Sequence, residues 1–156
     1  MTDAADVLAA LGQRGETLAV AESLTGGLLS ATLVEVPGAS KVFRGGLVVY
    51  ATDLKASLAG VPADLLAARG PVDPDVAVAL AEGARDRCRA DWGLATTGVA
   101  GPDPQDGVAV GTVFVAVAGT TGSRVRALAL SGDRPAIRTA TVAAALDLLA
   151  SALSPT

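Results

Sequence analysis

The chain has 156 residues, 12 Lys+Arg against 16 Asp+Glu for a formal net charge of −4, no histidine, and one cysteine, Cys88. Without His there is no Ser-His-Asp or Cys-His catalytic unit. One Cys supports neither a Cys/His zinc site nor an intrachain disulfide, which fits a reducing cytoplasm. The acidic balance argues against a nucleic-acid partner, which calls for a basic surface.

Hydrophobic residues make up 51% of the chain, yet 33 residues are alanine and four are aromatic. The expected core is therefore one of small side chains and closely approaching backbones. Ala4, Val7, Leu8 and Leu11 recur at helical spacing, and Gly12 with Gly15 ends that first helix. The N-terminus MTDAADVLAA has no basic stretch and does not read as a signal peptide. Thr17–Ala21 is a run of strand length. The turn Glu22-Ser23-Leu24-Thr25-Gly26-Gly27 follows it and leads into a helical pattern at Leu28, Leu29, Ala31, Thr32 and Leu33 that Pro37-Gly38 breaks. Phe43–Tyr50 reads as a second strand, with a short helix from about Asp53 to Gly60.

Asp73-Pro74 is a helix start, an N-cap acceptor followed by a residue with preset φ. Val76, Leu80, Ala84 and Cys88 share one face of that helix, which makes Cys88 a core residue rather than a nucleophile. Trp92–Thr97 is the third strand and opens into the loop GVAGPDPQDG. Thr112–Ala118 and Arg124–Leu130 form a hairpin turning at Gly119-Thr120-Thr121-Gly122. The longest nearly continuous apolar run, Val108–Ala118, is too short to span a bilayer, so no membrane association is expected. Asp133 and Pro135 start a last helix running to about Leu153.

Strands alternating with helices predict an α/β fold, a three-layer α/β/α sandwich with a mixed, mostly parallel sheet, in a single domain over 1–156. In such a sheet ligands sit outside the carboxyl ends of the parallel strands. Three polar, glycine-bearing segments follow strand ends: 22–27, 50–55 and 97–107.

Ser23 at the first of these turns is a candidate nucleophile, with the amides around Gly26 and Gly27 as anion or oxyanion donors. Alternatively, Ser23 or Thr25 caps the next helix. Lacking His, a serine nucleophile needs another base, and a lysine made neutral by burial serves. Lys55 lies in an apolar stretch, whereas Lys41 sits in a Pro/Gly turn region and reads as solvated. Lys55 facing solvent on a short helix is the competing reading. Tyr50, the only tyrosine, stands five residues before Lys55, where a turn would bring phenol and amine together; otherwise it is a strand-end aromatic with a wet hydroxyl. Thr97, Gly98 and Gly101 either admit a ligand close to the backbone or form a long irregular connection. Arg134 at the start of the last helix suits a phosphate, or is simply solvated. Asp103 and Asp106 read as loop acids with no acid/base role.

AESLTGG (Ala21–Gly27), GGLVVYATDLK (Gly45–Lys55), TGVAGPD (Thr97–Asp103), VGTV (Val110–Val113) and SGDR (Ser131–Arg134) occur together in the order of one family. Across nearly its whole length the chain resembles the CinA C-terminal domain family, whose enzymatic members are nicotinamide-nucleotide amidases. The resemblance implies hydrolysis of the carboxamide of nicotinamide mononucleotide to nicotinic acid mononucleotide and ammonia, with no metal or cofactor. Ser23 would be the nucleophile, Lys55 its base, and Tyr50 a neighbour shuttling or orienting the proton. Thr97 and Gly98 would line the pocket, and Thr25, Gly26, Gly27, Gly46 and Gly101 in the same segments are assigned to substrate binding. Arg134 with its helix start is read as the phosphate clamp.

The sequence departs from the family at Ala109, where Pro is common, and at Asp73, where Ser is frequent. An additional N-terminal domain of the kind many relatives carry is expected to be absent. A non-catalytic nucleotide-binding or interaction protein is the alternative reading, and the same amidase chemistry on another carboxamide is a third. The expected partner is a small nucleotide, with a homodimer favoured as added burial for a small core.

Overall fold

The computed structural model describes residues 2–154. The elements run α1 (Ala4–Arg14), β1 (Leu18–Glu22), α2 (Leu28–Val34), a 3₁₀ turn at Ala39–Lys41, β2 (Phe43–Val48), α3 (Thr52–Ser57) and α4 (Ala63–Arg69). They continue with α5 (Pro74–Arg87), β3 (Trp92–Gly98), β4 (Thr112–Ala118), β5 (Ser123–Ala129) and α6 (Arg134–Leu153). Strand order is β2-β1-β3-β4-β5. The pairs β1/β2 and β1/β3 are parallel, and β3/β4 and β4/β5 are antiparallel. The α/β sandwich with a mixed sheet is thus as expected, but its parallel and antiparallel pairings are equal in number, which corrects "mostly parallel". The late hairpin adds two antiparallel ladders to one side of a short parallel core.

Side-chain size alternates across the sheet with the period of two that a strand imposes. Leu18 and Val20 of β1, Leu94 of β3, and Val113, Val115 and Val117 of β4 pack on one face with α1, α2 and α6. Ala19, Ala21, Ala95, Ala116 and Ala118 pack on the other with α5. The small face lets α5 come close. A Cβ on Gly93 would lie 1.8 Å from the Ala81 carbonyl oxygen of α5, so glycine is required there. Cys88 caps the C-terminus of α5, half-buried against this alanine-lined layer.

Asp73 and Asp133 cap α5 and α6 as read from the sequence. The Asp73 carboxylate accepts from the amides of Asp75 and Val76, and that of Asp133 from Ala136. Helix α4 has no counterpart in the sequence reading. It has seven residues and one buried side chain, Leu66, too little for a periodic signal. The apolar run at Val108–Ala118 is surpassed by α6, whose 20 residues are long and apolar enough to cross a membrane by length and composition. Here α6 is a core helix: Ile137, Val142, Ala145 and Leu149 bury its inner face with the Val/Leu side of the sheet.

Strand β1 lies between β2 and β3, so the chain leaves it in one direction and returns on the other side. That reversal opens a crevice outside the carboxyl ends of the three parallel strands.

Candidate active site

The crevice holds a pocket of about 130 Å³ with Ser23, Tyr50, Lys55, Thr97, Gly98 and Arg134 in its lining. A larger apolar groove of about 740 Å³ between α1, α2 and α6 contains none of the expected site residues.

Lys55 is the largest fully buried side chain, 1% exposed, on a six-residue helix. Its Nζ lies 3.1 Å from Ser23 Oγ, 2.8 Å from the Val49 carbonyl oxygen and 3.2 Å from the Tyr50 carbonyl oxygen. Strand β2 therefore ends at Val48 rather than Tyr50, because the next two carbonyls turn to the amine. Among the described residues no carboxylate pairs with Lys55, and burial lowers its pKa from 10.5 to about 8. The cause is desolvation, which disfavours the ammonium.

The three partners fix which state of Lys55 can act. Carbonyls only accept, so Val49 and Tyr50 each hold an N–H in either protonation state. When Lys55 loses a proton, its lone pair therefore takes the third direction, toward Ser23. The Ser23 hydroxyl, which accepts from the ammonium, then donates to the neutral amine. Ser23 is 6% exposed and follows β1 directly. In its neutral form a buried lysine hydrogen-bonded to a serine hydroxyl can act as that hydroxyl's base.

Tyr50 is placed differently from its sequence reading. Its side chain is 60% exposed, and its phenol accepts from Arg134 Nη2 at 3.0 Å. It meets the amine through its main-chain carbonyl, not its hydroxyl. Arg134 Nη1 donates to the Gly101 carbonyl, so the guanidinium joins two lips of the pocket. Thr97 lines the pocket with its hydroxyl donating to the Pro71 carbonyl at 2.6 Å. Gly98 and Gly101 keep the loop close to β4 and its approach: added Cβ atoms would lie 2.7 Å from Val113 Cγ2 and 2.6 Å from Val110 Cγ1.

Thr25, Gly26, Gly27 and Gly46 lie outside the pocket lining. Part of the amide set expected at an oxyanion is spent inside the fold. Gly26 N–H donates to the Ser23 carbonyl and Leu28 N–H to the Thr25 carbonyl. Those of Leu29 and Ser30 donate to the Glu22 carboxylate. Gly46 is a packing glycine, where a Cβ would lie 2.7 Å from Val20 Cγ2 and 2.8 Å from Ser30 Oγ.

Glu22 and Arg138 are not among the residues that the sequence singles out. Glu22 is fully buried at the end of β1, and its signal was an acid terminating an otherwise apolar strand. Arg138 donates to the carbonyls of Leu24 and Thr25, gripping the Ser23 turn from α6. It stands one helical turn beyond Arg134 on the same helix face. Asp103 and Gln105 also reach the pocket lining.

The family model described as the CinA C-terminal domain matches residues 2–153. A CinA-like protein of Frankia casuarinae is 57% identical over 143 residues, covering 92% of this chain and 33% of that protein. One from an Anaeromyxobacter species is 51% identical, covering 94% and 36%. The chain thus spans about a third of the length of the curated relatives it matches. The crystal structure of competence/damage inducible protein CihA from Agrobacterium tumefaciens superimposes with a TM-score of 0.91 at 34% identity, covering 95% of this chain and 92% of that one. A competence or damage-inducible protein from Enterobacter asburiae gives 0.93 at 30% identity, covering 99% and 100%. Sequence and fold agree across the described residues: the chain belongs to the CinA C-terminal domain family.

Proposed function

We propose that this chain is a metal-independent amidase that hydrolyses the carboxamide of nicotinamide mononucleotide, acting on the free nucleotide in the cytoplasm. The observation that carries the reading is the 3.1 Å contact between Lys55 Nζ and Ser23 Oγ in a buried pocket. Neutral Lys55 takes the Ser23 hydroxyl proton as Oγ attacks the carboxamide carbon. The resulting ammonium returns that proton to the departing nitrogen, and ammonia leaves. An ester of the nicotinoyl carbon with Ser23 remains. Water attacks it, Lys55 accepts the water's proton and passes it to Oγ, and nicotinic acid mononucleotide is released.

Arg134 at the pocket mouth is the phosphate ligand in this scheme. Two of its donor nitrogens already hold the pocket lips, and its fork has further N–H groups for an anion. Tyr50 holds Lys55 through its carbonyl and sets Arg134 through its phenol. The test is ammonia release from purified protein and nicotinamide mononucleotide. Folded protein that is stabilised by the nucleotide and releases no ammonia is instead a nucleotide-binding module.

A further inference from the structure

Beneath the Ser23 turn lies a chain of polar side chains that touches no pocket surface. Glu22, Thr25 and Thr96 are each 0% exposed. The Glu22 carboxylate accepts from Thr25 Oγ1 at 2.6 Å, from the Leu29 and Ser30 amides at 2.8 and 3.0 Å, and from Ser30 Oγ at 2.7 Å. It supplies the acceptor that Gly27, the N-cap of α2, has no side chain to provide.

The hydroxyl protons are ordered by this carboxylate. A carboxylate only accepts, so the Thr25 hydroxyl spends its proton on Glu22. The 2.9 Å contact between Thr25 and Thr96 hydroxyls then runs one way, with Thr96 donating. Thr96 Oγ1 is left to accept from the Ser23 amide at 3.3 Å, beside its own carbonyl at 3.1 Å. A directed chain thus links the buried carboxylate to the main chain of the nucleophile.

We propose that Glu22, Thr25 and Thr96 form a positioning relay that holds the Ser23 turn in register with Lys55. This rests on Ser23 being the nucleophile, as proposed above, and it gives Thr25 a positioning role in place of substrate contact. The relay is separable from the capping of α2. Replacing Thr25 by valine keeps the side chain's shape and leaves Glu22 its three donors at Leu29 and Ser30, so the cap survives while the link to Thr96 is cut.

The experiment uses the full chain with Thr25→Val and Thr25→Ser, each checked for folding by circular dichroism. Two quantities are measured: the rate of Ser23 labelling by a fluorophosphonate, and kcat and KM for nicotinamide mononucleotide. Misplacing a reacting group costs roughly ten- to a hundredfold. That is the expected fall in labelling rate and kcat for Thr25→Val, with KM unchanged, while Thr25→Ser, which keeps the hydroxyl, stays near wild type. Labelling of Thr25→Val at the wild-type rate overturns the relay, and so does a Thr25→Ser variant as slow as the valine one. If Thr25→Val does not fold, Thr96→Val takes its place with the same expectation; if neither folds, the chain is only structural and the proposal falls. Wild-type protein that is labelled at Ser23 but releases no ammonia overturns the substrate reading alone, leaving the relay to the labelling rates. Wild-type protein that resists labelling at Ser23 sinks the nucleophile and the relay together.

Discussion

A lysine whose ammonium is kept from water can serve as a base near neutral pH, and that condition makes Lys55 testable by pH. The fraction of neutral amine rises about tenfold per pH unit below a pKa of about 8. Ammonia release measured as kcat/KM is expected to climb with that slope and level off above it. Ser23→Ala is expected to abolish release, and Lys55→Arg to lower kcat by roughly 10²–10⁴, the worth of a general base, since arginine stays charged. Full turnover by either variant removes that residue from the mechanism. The same shift acts on stability. Between about pH 8 and the ordinary value of 10.5 the unfolded chain holds more protons at Lys55 than the folded one. Folding stability from this group therefore rises with pH across that window and is flat below it. Chemical denaturation at several pH values should show this slope in the wild type and its loss in Lys55→Met; identical slopes mean that Lys55 is not desolvated.

Helix α5 shows how an alanine-rich sequence builds a firm element. Its Gly83 faces Ala59 of the α3–α4 connection, where a Cβ would lie 1.8 Å from a carbonyl oxygen, and its backbone at Ala81 meets Gly93. Thermal unfolding of Gly93→Ala and Gly83→Ala is expected to show losses at or above the roughly 1–3 kcal/mol of ordinary overpacking, because backbone rather than a flexible side chain is in the way. Asp73→Ala is expected to cost about 1 kcal/mol and Asp73→Ser nearly nothing, since serine also caps. The cap at Asp73-Pro74, the strand-length runs of β1 and β3, and the hairpin turn were legible because each is a local rule acting within a few residues. So was the Ser23–Lys55 pair, by a different route: the absence of His left few bases, and the motif order chose between two lysines. The destination of Tyr50 was not legible, because its phenol meets Arg134 from a helix that begins more than eighty residues later. Nor was the displacement of Thr25, Gly26, Gly27 and Gly46 from the pocket. A glycine required by packing and one that admits a ligand look alike until the neighbouring element is in place.

At the scale of the molecule, α6 joins the fold to the chemistry. Its inner face belongs to the core with the Val/Leu side of the sheet. Its first two turns send Arg134 to Gly101 and Tyr50, and Arg138 to Leu24 and Thr25. One helix therefore grips the segments that follow β1, β2 and β3, beside Ser23, Lys55 and Thr97. A ligand held by Arg134 would tighten this grip, and its binding should register as global stability rather than as a local change. In Ser23→Ala, which cannot form an ester at Oγ, nicotinamide mononucleotide at a hundred times its Kd adds about 2.7 kcal/mol by mass action. For a chain of this size that raises the unfolding midpoint by roughly 5–10 °C. Combining Ser23→Ala with Arg134→Gln is expected to remove most of the upshift at the same nucleotide concentration. The ligand-induced change is the readout, not the absolute midpoint, because losing the contacts to Gly101 and Tyr50 lowers the midpoint by itself. Nicotinamide riboside, which lacks the phosphate, serves as the control and should raise the midpoint of the two variants equally. An upshift by the nucleotide that survives Arg134→Gln would place the phosphate elsewhere and leave Arg134 a strut between two loops.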